Sequence, residues 1–286
     1  MPIVNLINPA NSDIKFKILV FPDGQPHIKI DTTSCETIDT KETVLIITRI
    51  ANANDLMLVL FAKNALNYLG FENISLKISY LMAARMDRVM LDGEPFSLKV
   101  VSNILNAAGF NKISIFDPHS EVSTAVIEKS YSINNHQFVK EVLAQYQKNN
   151  SDDDTSKFCL VSPDAGALKK IHKVAAALNH IEVVECMKER DLKTGKLSGF
   201  KVFAEDLTNK ICFIVDDICD GGGTFIGVAA ALKKLHAEKI ILIVSHGIFS
   251  KGFVLENVDE IYCTDSYRAI ENKPMQVNVF SVLEYL

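Results

Sequence analysis

The sequence predicts an α/β protein with two doubly wound parallel sheets, one in each half of the chain. Short runs of β-branched residues alternate with longer amphipathic stretches, which is the pattern of βαβ units. The run at 43–48, for example, precedes a helical spacing of apolar residues from Leu56 to Leu69. At 286 residues, the chain is about twice the usual length of one domain. We therefore expect two domains, 1–134 and 135–286, with the last residues packing back on the first domain.

Two helix ends are nearly alike in sequence. Each ends in a glycine, Gly70 or Gly109, which is followed by a phenylalanine, two polar residues and the start of an apolar run. A glycine at the end of a helix followed by a strand is typical of consecutive βαβ units. In the second half we expect strands at 158–162, 181–185, 211–215 and 239–245, and helices at 136–147, 165–178 and 222–236.

Composition and charge exclude several classes of protein. A net charge of -5 gives no overall field that would attract nucleic acid. The apolar runs fall far short of the roughly 20 residues that cross a bilayer, and the six cysteines form no C-x-x-C pair. We expect a cytoplasmic protein with no nucleic-acid or membrane partner.

The most polar segment, at 148–157, contains three consecutive aspartates and no apolar residue. Adjacent carboxylates on a loop repel each other, and they are more often solvated than bound to a cation. We interpret this segment as a surface loop without a metal.

The strongest chemical signal lies at 213–224. An apolar strand leads to Asp216 and Asp217, and a glycine turn at 221–223 then opens a helix. Such a turn exposes backbone N–H groups at the positive end of a helix dipole, which suits a phosphate. Acids at the carboxyl edge of a parallel sheet lie where α/β folds bind ligands. The pattern predicts an anion-binding loop with a carboxylate for hydroxyls or a metal.

This stretch, V-D-D-x-x-D-x-G-G-T, resembles the ribose-phosphate loop of the type I phosphoribosyltransferase fold. Other segments match, in order and approximate spacing, the ribose-phosphate diphosphokinases, also called phosphoribosyl pyrophosphate synthetases. These segments are YLMAARMDR at 80–88, EPFSLK at 94–99, FDPH at 116–119, VSPDAG at 161–166 and SHGIFS at 245–250. The resemblance implies two type I phosphoribosyltransferase-like domains. It also implies transfer of the β,γ-diphosphate of ATP to the C1 hydroxyl of ribose 5-phosphate, with release of AMP.

The resemblance also implies residue roles. Lys188 and Arg190 match the Lys-x-Arg pair of a mobile catalytic loop, and a closing lid is expected there. His119 and Asp164 match magnesium ligands, although magnesium prefers oxygen, so a packing role for His119 is an open alternative. The acceptor would be bound by Asp216, Asp217, Asp220, Gly221, Gly222, Gly223 and Thr224.

ATP would be bound in the first half of the chain. The expected contacts there are Phe21, Asp23, Gln25, Arg85, Met86, Asp87, Arg88 and His119. In the family, the hairpin that contains Phe21 contacts the nucleotide of a neighbouring subunit, which implies a homo-oligomer. An ordinary β-hairpin turn is the alternative for this segment.

Three positions depart from the family pattern. Gln25 replaces a glutamate and Met86 replaces a glutamine, both near the expected nucleotide. Gly221 replaces a threonine, and we expect the lost side chain to leave open space. That space makes ADP-ribose an alternative acceptor, giving ADP-ribose pyrophosphate for NAD salvage. Less favoured alternatives are a phosphoribosyltransferase, which would not need Arg85–Arg88, and a non-catalytic regulatory subunit.

Overall fold

The computed structural model describes residues 1–178, 180–190 and 197–286, apart from the side chains of residues 189, 190, 197 and 198. The chain divides into two compact units. The first comprises Met1–Asn134, Ser266–Arg268 and Val282–Leu286, and the second comprises Asn135–Asp265 and Ala269–Ser281.

The first unit is built on a five-stranded parallel sheet. In chain order its elements are β1 (Ile3–Asn5), β2 (Phe16–Val20), β3 (Pro26–Ile30), β4 (Val44–Ile50), α1 (Ala53–Tyr68), β5 (Ile74–Leu81), α2 (Ser97–Ala108), β6 (Ile113–Phe116), α3 (Val122–Val126) and β7 (Ser130–Ile133). The sheet order is β1-β4-β5-β6-β7, with every neighbouring pair parallel. Strand β4 is buried along nearly its whole length, which explains its almost continuous apolar sequence.

Local sequence explains where the helices of this unit begin and end. The Asn52 side chain accepts a hydrogen bond from the Asp55 N–H at 3.1 Å and so caps α1. Gly70 and Gly109 have φ values of 89° and 67°, a left-handed conformation in which glycine has no steric penalty. The expected pair of glycine helix ends is confirmed.

Strands β2 and β3 form a separate antiparallel hairpin. Pro26, Ile28 and Ile30 of β3 alternate inward and are buried. The β2 side chains are largely exposed, including Ile18, Leu19 and Val20. One strand of the hairpin therefore belongs to the core of the unit, and the other presents apolar side chains at its surface.

The second unit contains a seven-stranded sheet. Its elements are α4 (His136–Asn149), β8 (Phe158–Ser162), α5 (Leu168–Ala177), β9 (Glu182–Arg190), β10 (Leu197–Val202), β11 (Ile211–Cys219), α6 (Gly223–Lys234), β12 (Lys239–Gly247), β13 (Glu260–Thr264) and β14 (Val277–Phe280). The order is β10-β9-β8-β11-β12-β13-β14, parallel except for the edge strand β10. The four strands and three helices expected in this half are all present, and the fold class is confirmed.

Strands β11 and β12 set the edge at which the anion-binding loop lies. They pair in parallel from Ile211 opposite Lys239 to Cys219 opposite Gly247. Both strands therefore end at the same edge of the sheet. Among the helices in the described part of the chain, none is both long and apolar enough to cross a bilayer.

The polar segment at 148–157 is a loop, but one of its aspartates is not solvated. Asp153 accepts hydrogen bonds from the Tyr146 hydroxyl at 2.8 Å and from the Lys239 ammonium at 2.9 Å. These bonds hold the pKa of Asp153 below its ordinary value, with Lys239 as the largest cause. The expectation of three solvated carboxylates is wrong for Asp153, because the hydroxyl of the buried Tyr146 and the ammonium of Lys239 donate to it.

We predict that Asp153→Asn lowers the free energy of unfolding at pH 7 by about 1 kcal/mol. The pKa of this carboxyl is lower in the folded state than in the unfolded state, where it is about 3.9. The carboxylate therefore stabilises the fold at a pH above about 3.9, and this stabilisation is lost as the pH falls through the pKa of the folded state. Urea unfolding from pH 3 to 7 should show the difference from wild type shrinking below about pH 4. The matched control is Asp152→Asn, because Asp152 is the exposed neighbour. An equal loss of unfolding free energy in Asp152→Asn would contradict the prediction.

Candidate functional site

The glycine turn lies between β11 and α6, as the sequence predicts. Gly222 is the N-cap residue of α6 and has a φ of 76°. A Cβ atom there would collide with Cδ2 of Leu255, whereas a Cβ atom on Gly223 would meet no atom within 4 Å. The N-cap has no side chain to accept from the first N–H groups of the helix, so those donors are available to an anion.

Asp216 and Asp217 lie inside β11 rather than at its end. The strand continues to Cys219, because Ile218 and Cys219 still pair with His246 and Gly247 of β12. The sequence expectation placed the strand end at 215 and was short by four residues. Asp217 is 6% exposed. Both acids therefore lie within the strand, close to its carboxyl end.

The two acids affect each other. The Asp216 carboxylate accepts a hydrogen bond from the Asp217 N–H at 2.8 Å. Burial, together with the neighbouring Asp217 charge, raises the pKa of the Asp216 carboxyl well above its ordinary value. Such a pair of neighbouring carboxylates, one buried and one half-buried, is stabilised by a hydroxyl donor or a cation.

Asp220 fastens the glycine turn to a second loop. Its carboxylate accepts a hydrogen bond from the Ser250 hydroxyl at 2.6 Å, and its carbonyl accepts one from the Ser250 N–H at 3.2 Å. The N–H groups of Ile248 and Phe249 donate to the Cys219 carbonyl at 2.9 and 3.1 Å. The loop after β12 therefore forms one wall of the turn.

The space beside Gly221 is not open. A Cβ atom on Gly221 would lie 3.4 Å from Cδ and 3.5 Å from Cε of Lys251, which is van der Waals contact. The expectation of open space is wrong, because the stem of an exposed lysine already covers the glycine. Sequence reasoning missed Lys251, and its only signal was a position directly after the SHGIFS segment.

Asp164 and Lys188 are brought together by two adjacent parallel strands, β8 and β9. The Lys188 ammonium donates to one Asp164 oxygen at 2.8 Å. The other oxygen accepts from the Gly166 and Ala167 N–H groups at 3.0 and 3.2 Å. Burial alone would raise the pKa of Asp164, but the Lys188 bond and these N–H groups hold it below its ordinary value.

Lys188 lies on β9 rather than on a loop after a strand. The strand extends to Arg190 because it pairs with β10 in an antiparallel hairpin. From the sequence, the strand was expected to end at 185, and the polar residues after it were expected to form a closing lid. The Arg190 side chain and residues 191–196 of the expected lid lie outside the described residues.

The carboxylate and imidazole groups of the expected magnesium ligands, Asp164 and His119, differ in how well they suit magnesium. In the part of the chain that the structure describes, three or more His, Cys, Asp or Glu side chains do not cluster as a metal site. Magnesium is usually held by one or two carboxylates plus waters and substrate phosphates, rather than by a protein cage. A single carboxylate such as that of Asp164 fits this coordination. His119 is exposed after β6, and α3 begins three residues later.

The segment Arg85–Arg88 follows β5 in the first unit. Arg85 and Arg88 are exposed, whereas Met86 and Asp87 are half-buried. Arg88 Nε lies 3.6 Å from an Asp87 carboxylate oxygen. The Met86 carbonyl accepts from the Leu98 N–H at 3.2 Å, which ties this segment to the start of α2. The two guanidinium groups are thus presented from an anchored turn.

The turn of the β2–β3 hairpin holds Phe21, Asp23 and Gln25. The Phe21 N–H donates to the Gln25 carbonyl at 2.9 Å, and the Gln25 N–H donates to the Asp23 carboxylate at 3.1 Å. The Phe21 ring lies 5.5 Å from that of His27. An open groove of about 510 Å³ runs beside the turn, and it is lined by Asp23, Gly24, Gln25, Pro26, Asn54, Met57 and Phe61.

Comparisons with known proteins agree with one another. The family model described as "Phosphoribosyl transferase domain" matches residues 131–277. A ribose-phosphate pyrophosphokinase of Mycoplasmopsis pulmonis is 30% identical, covering 93% of this chain and 82% of its own. One of Pyrococcus abyssi is 29% identical, covering 96% and 89%. The crystal structure of phosphoribosylpyrophosphate synthetase from Mycobacterium smegmatis superposes with a TM-score of 0.77 at 21% identity, covering 95% and 87%.

We predict that Gly222→Ala lowers the free energy of unfolding by about 3 kcal/mol. The substitution combines a left-handed backbone with a collision against the buried Leu255. The matched variant Gly223→Ala meets open space and should change stability by less than about 0.5 kcal/mol. Urea unfolding of both variants checks this pair of values, and equal stabilities would show that the turn is not held in this conformation.

Proposed function

The chain belongs to the ribose-phosphate pyrophosphokinase family and is an ATP-dependent diphosphokinase, and from this premise we propose its substrates and the roles of its residues. The acceptor is ribose 5-phosphate. Its C1 hydroxyl oxygen forms a bond to the β-phosphorus of ATP, the bond from that phosphorus to the α–β bridging oxygen breaks, and the hydroxyl proton is released. The products are the 1-diphosphate of ribose 5-phosphate and AMP.

The observation that carries the acceptor assignment is the glycine turn between β11 and α6. The N–H donors at the start of α6 are available to an anion, and Asp216 and Asp217 lie on the strand that leads into the turn. A sugar phosphate combines a dianion with adjacent hydroxyl donors, which is the chemistry this edge requires. We assign the 5-phosphate to residues 220–224 and the ribose hydroxyls to Asp216 and Asp217.

ATP is assigned to the first unit. The exposed guanidinium groups of Arg85 and Arg88 suit phosphate oxygens, because the forked donors of arginine can bond two oxygens at once. Phe21, Asp23 and Gln25 offer an aromatic face and polar atoms to the base, with Met86 and Asp87 beside the arginines. Gln25 and Met86 replace a glutamate and a glutamine of the family pattern, so they change the polar groups near the nucleotide without removing its binding site.

We assign two magnesium sites, one at His119 in the first unit beside ATP and one at Asp164 in the second unit near the sugar, and a bound ion would neutralise phosphate charge. The chain's own cations do the same work at the transferring group, since phosphoryl transfer depends on charge neutralisation and alignment. We assign Lys188 and Arg190 to the neutralisation of charge on the transferring diphosphate. Lys188 pairs with Asp164 in this structure and would exchange that partner for phosphate oxygens.

A homo-oligomer is also proposed. Apolar side chains on β2 and its turn are exposed to solvent, at 40% for Ile18, 42% for Leu19, 64% for Val20 and 42% for Phe21. A contiguous exposed apolar strand is a typical interaction surface. A second copy of the chain is the proposed partner, and small-molecule substrates are the other partners.

We predict AMP release from ATP and Mg²⁺ only when ribose 5-phosphate is present, with the acceptor gaining a diphosphate by mass spectrometry. ADP-ribose should be tested in parallel. The relatives' names give ADP-ribose no support, and Lys251 covers the space that had favoured it. A diphosphate on ADP-ribose instead would overturn the acceptor assignment, and absence of AMP with both acceptors would indicate a non-catalytic subunit.

We predict that Lys188→Ala lowers kcat by about 10²-fold, as loss of a transition-state contact does, and that Arg190→Ala does the same. Steady-state assays of AMP formation measure both. Lys210→Ala is the matched control, because Lys210 also pairs with a carboxylate of this unit, Glu182, at 2.6 Å. Wild-type turnover in both variants would refute the assignment of these cations to the transferring group.

A further inference from the structure

The pairing of Gly221 with Lys251 adds a feature that the sequence did not suggest. Three methylene carbons of Lys251 lie 3.4 to 3.8 Å from the position of a Cβ on Gly221. A Cβ at 221 would therefore be in van der Waals contact with the lysine stem. Its ammonium is one covalent bond beyond Cε and so remains beside the anion-binding turn.

The backbone that carries this lysine is fixed to the turn. The preceding residue, Ser250, bonds Asp220 through both its hydroxyl and its N–H. Gly252 follows with a φ of 91°, and its N–H donates to the Phe249 carbonyl at 3.0 Å. Lys251 is held at the turn by these bonds, although its own side chain is exposed.

The charges around the turn call for such a cation. Asp216, Asp217 and Asp220 lie within five residues, and they would repel a phosphate dianion. Two other lysines of this unit are paired with carboxylates, Lys188 with Asp164 and Lys210 with Glu182. Among the described residues, the Lys251 ammonium has neither an ion pair nor a hydrogen-bond acceptor, so it is available to a ligand.

We propose that Lys251 determines acceptor specificity by binding the terminal phosphate of the sugar at the glycine turn, an inference that rests on the proposed function. Its ammonium replaces the hydroxyl that a threonine at 221 would offer, and it adds a positive charge. Lysine binds phosphate as a compact point charge with rotatable donors. Gly221 and Lys251 act as a pair, because a side chain at 221 that extends beyond Cβ would meet the lysine stem.

The test compares Lys251→Met, which keeps the stem and removes the charge, with Lys251→Arg, which keeps the charge. We expect Lys251→Met to raise the KM for ribose 5-phosphate about 10-fold, or about 1.4 kcal/mol. The kcat and the KM for ATP should stay within about 2-fold. Lys251→Arg should restore most of the affinity. Lys234→Met, at the opposite end of α6, is the matched control and should behave as wild type.

A second measurement does not depend on turnover. Calorimetric titration of the free protein with inorganic phosphate should show tighter binding by wild type than by Lys251→Met, again by about 10-fold. If both proteins bind phosphate equally and share one KM for ribose 5-phosphate, the proposal is overturned. Failure of the proposed function would instead appear as a wild-type protein without AMP release.

The pairing itself is tested by a double-mutant cycle. Gly221→Val places methyl groups beyond Cβ, where they would meet the lysine stem, and should raise the KM for ribose 5-phosphate about 3-fold. In the Lys251→Met background the same change should have no effect on KM. An equal effect in both backgrounds would contradict the pairing.

Discussion

The parallel register of β11 and β12 is the constraint on which the acceptor site depends. Ile211 lies opposite Lys239 and Cys219 opposite Gly247, so both strands end at one edge. The glycine turn leaves β11 there, and the 248–251 loop leaves β12 beside it. A shift of one residue would separate Ser250 from Asp220 and turn the two acids to the other faces of the sheet. The site is therefore a product of strand pairing more than of any single loop.

Much of this arrangement could be predicted from the sequence, for a physical reason. Strands buried on both faces are rich in apolar residues, and Val44–Ile47 and Ile211–Val215 are continuously apolar. Many helices end at a left-handed glycine, and Gly70 and Gly109 mark two such ends. These requirements are local, because each depends only on residues that are neighbours in the sequence.

What could not be predicted depends on contacts between residues far apart in the chain. Asp153 looked solvated because Lys239, which bonds it, lies 86 residues later. The space at Gly221 looked open because the lysine that fills it lies 30 residues later. Strand β9 was expected to end early, since only its pairing with β10 extends it through polar residues. In each case a tertiary partner overrode a correct local inference.

The collision that excludes any side chain at Gly222 has a consequence for binding. Leu255 is buried against this glycine, and Ser250 holds the adjacent Asp220, so the turn is clamped from outside before a ligand arrives. A preorganised turn loses little conformational entropy when an anion enters. The affinity of the turn for phosphate is then governed by charge and desolvation rather than by ordering of the loop. The preference of the turn for one anion over another should therefore change little with temperature.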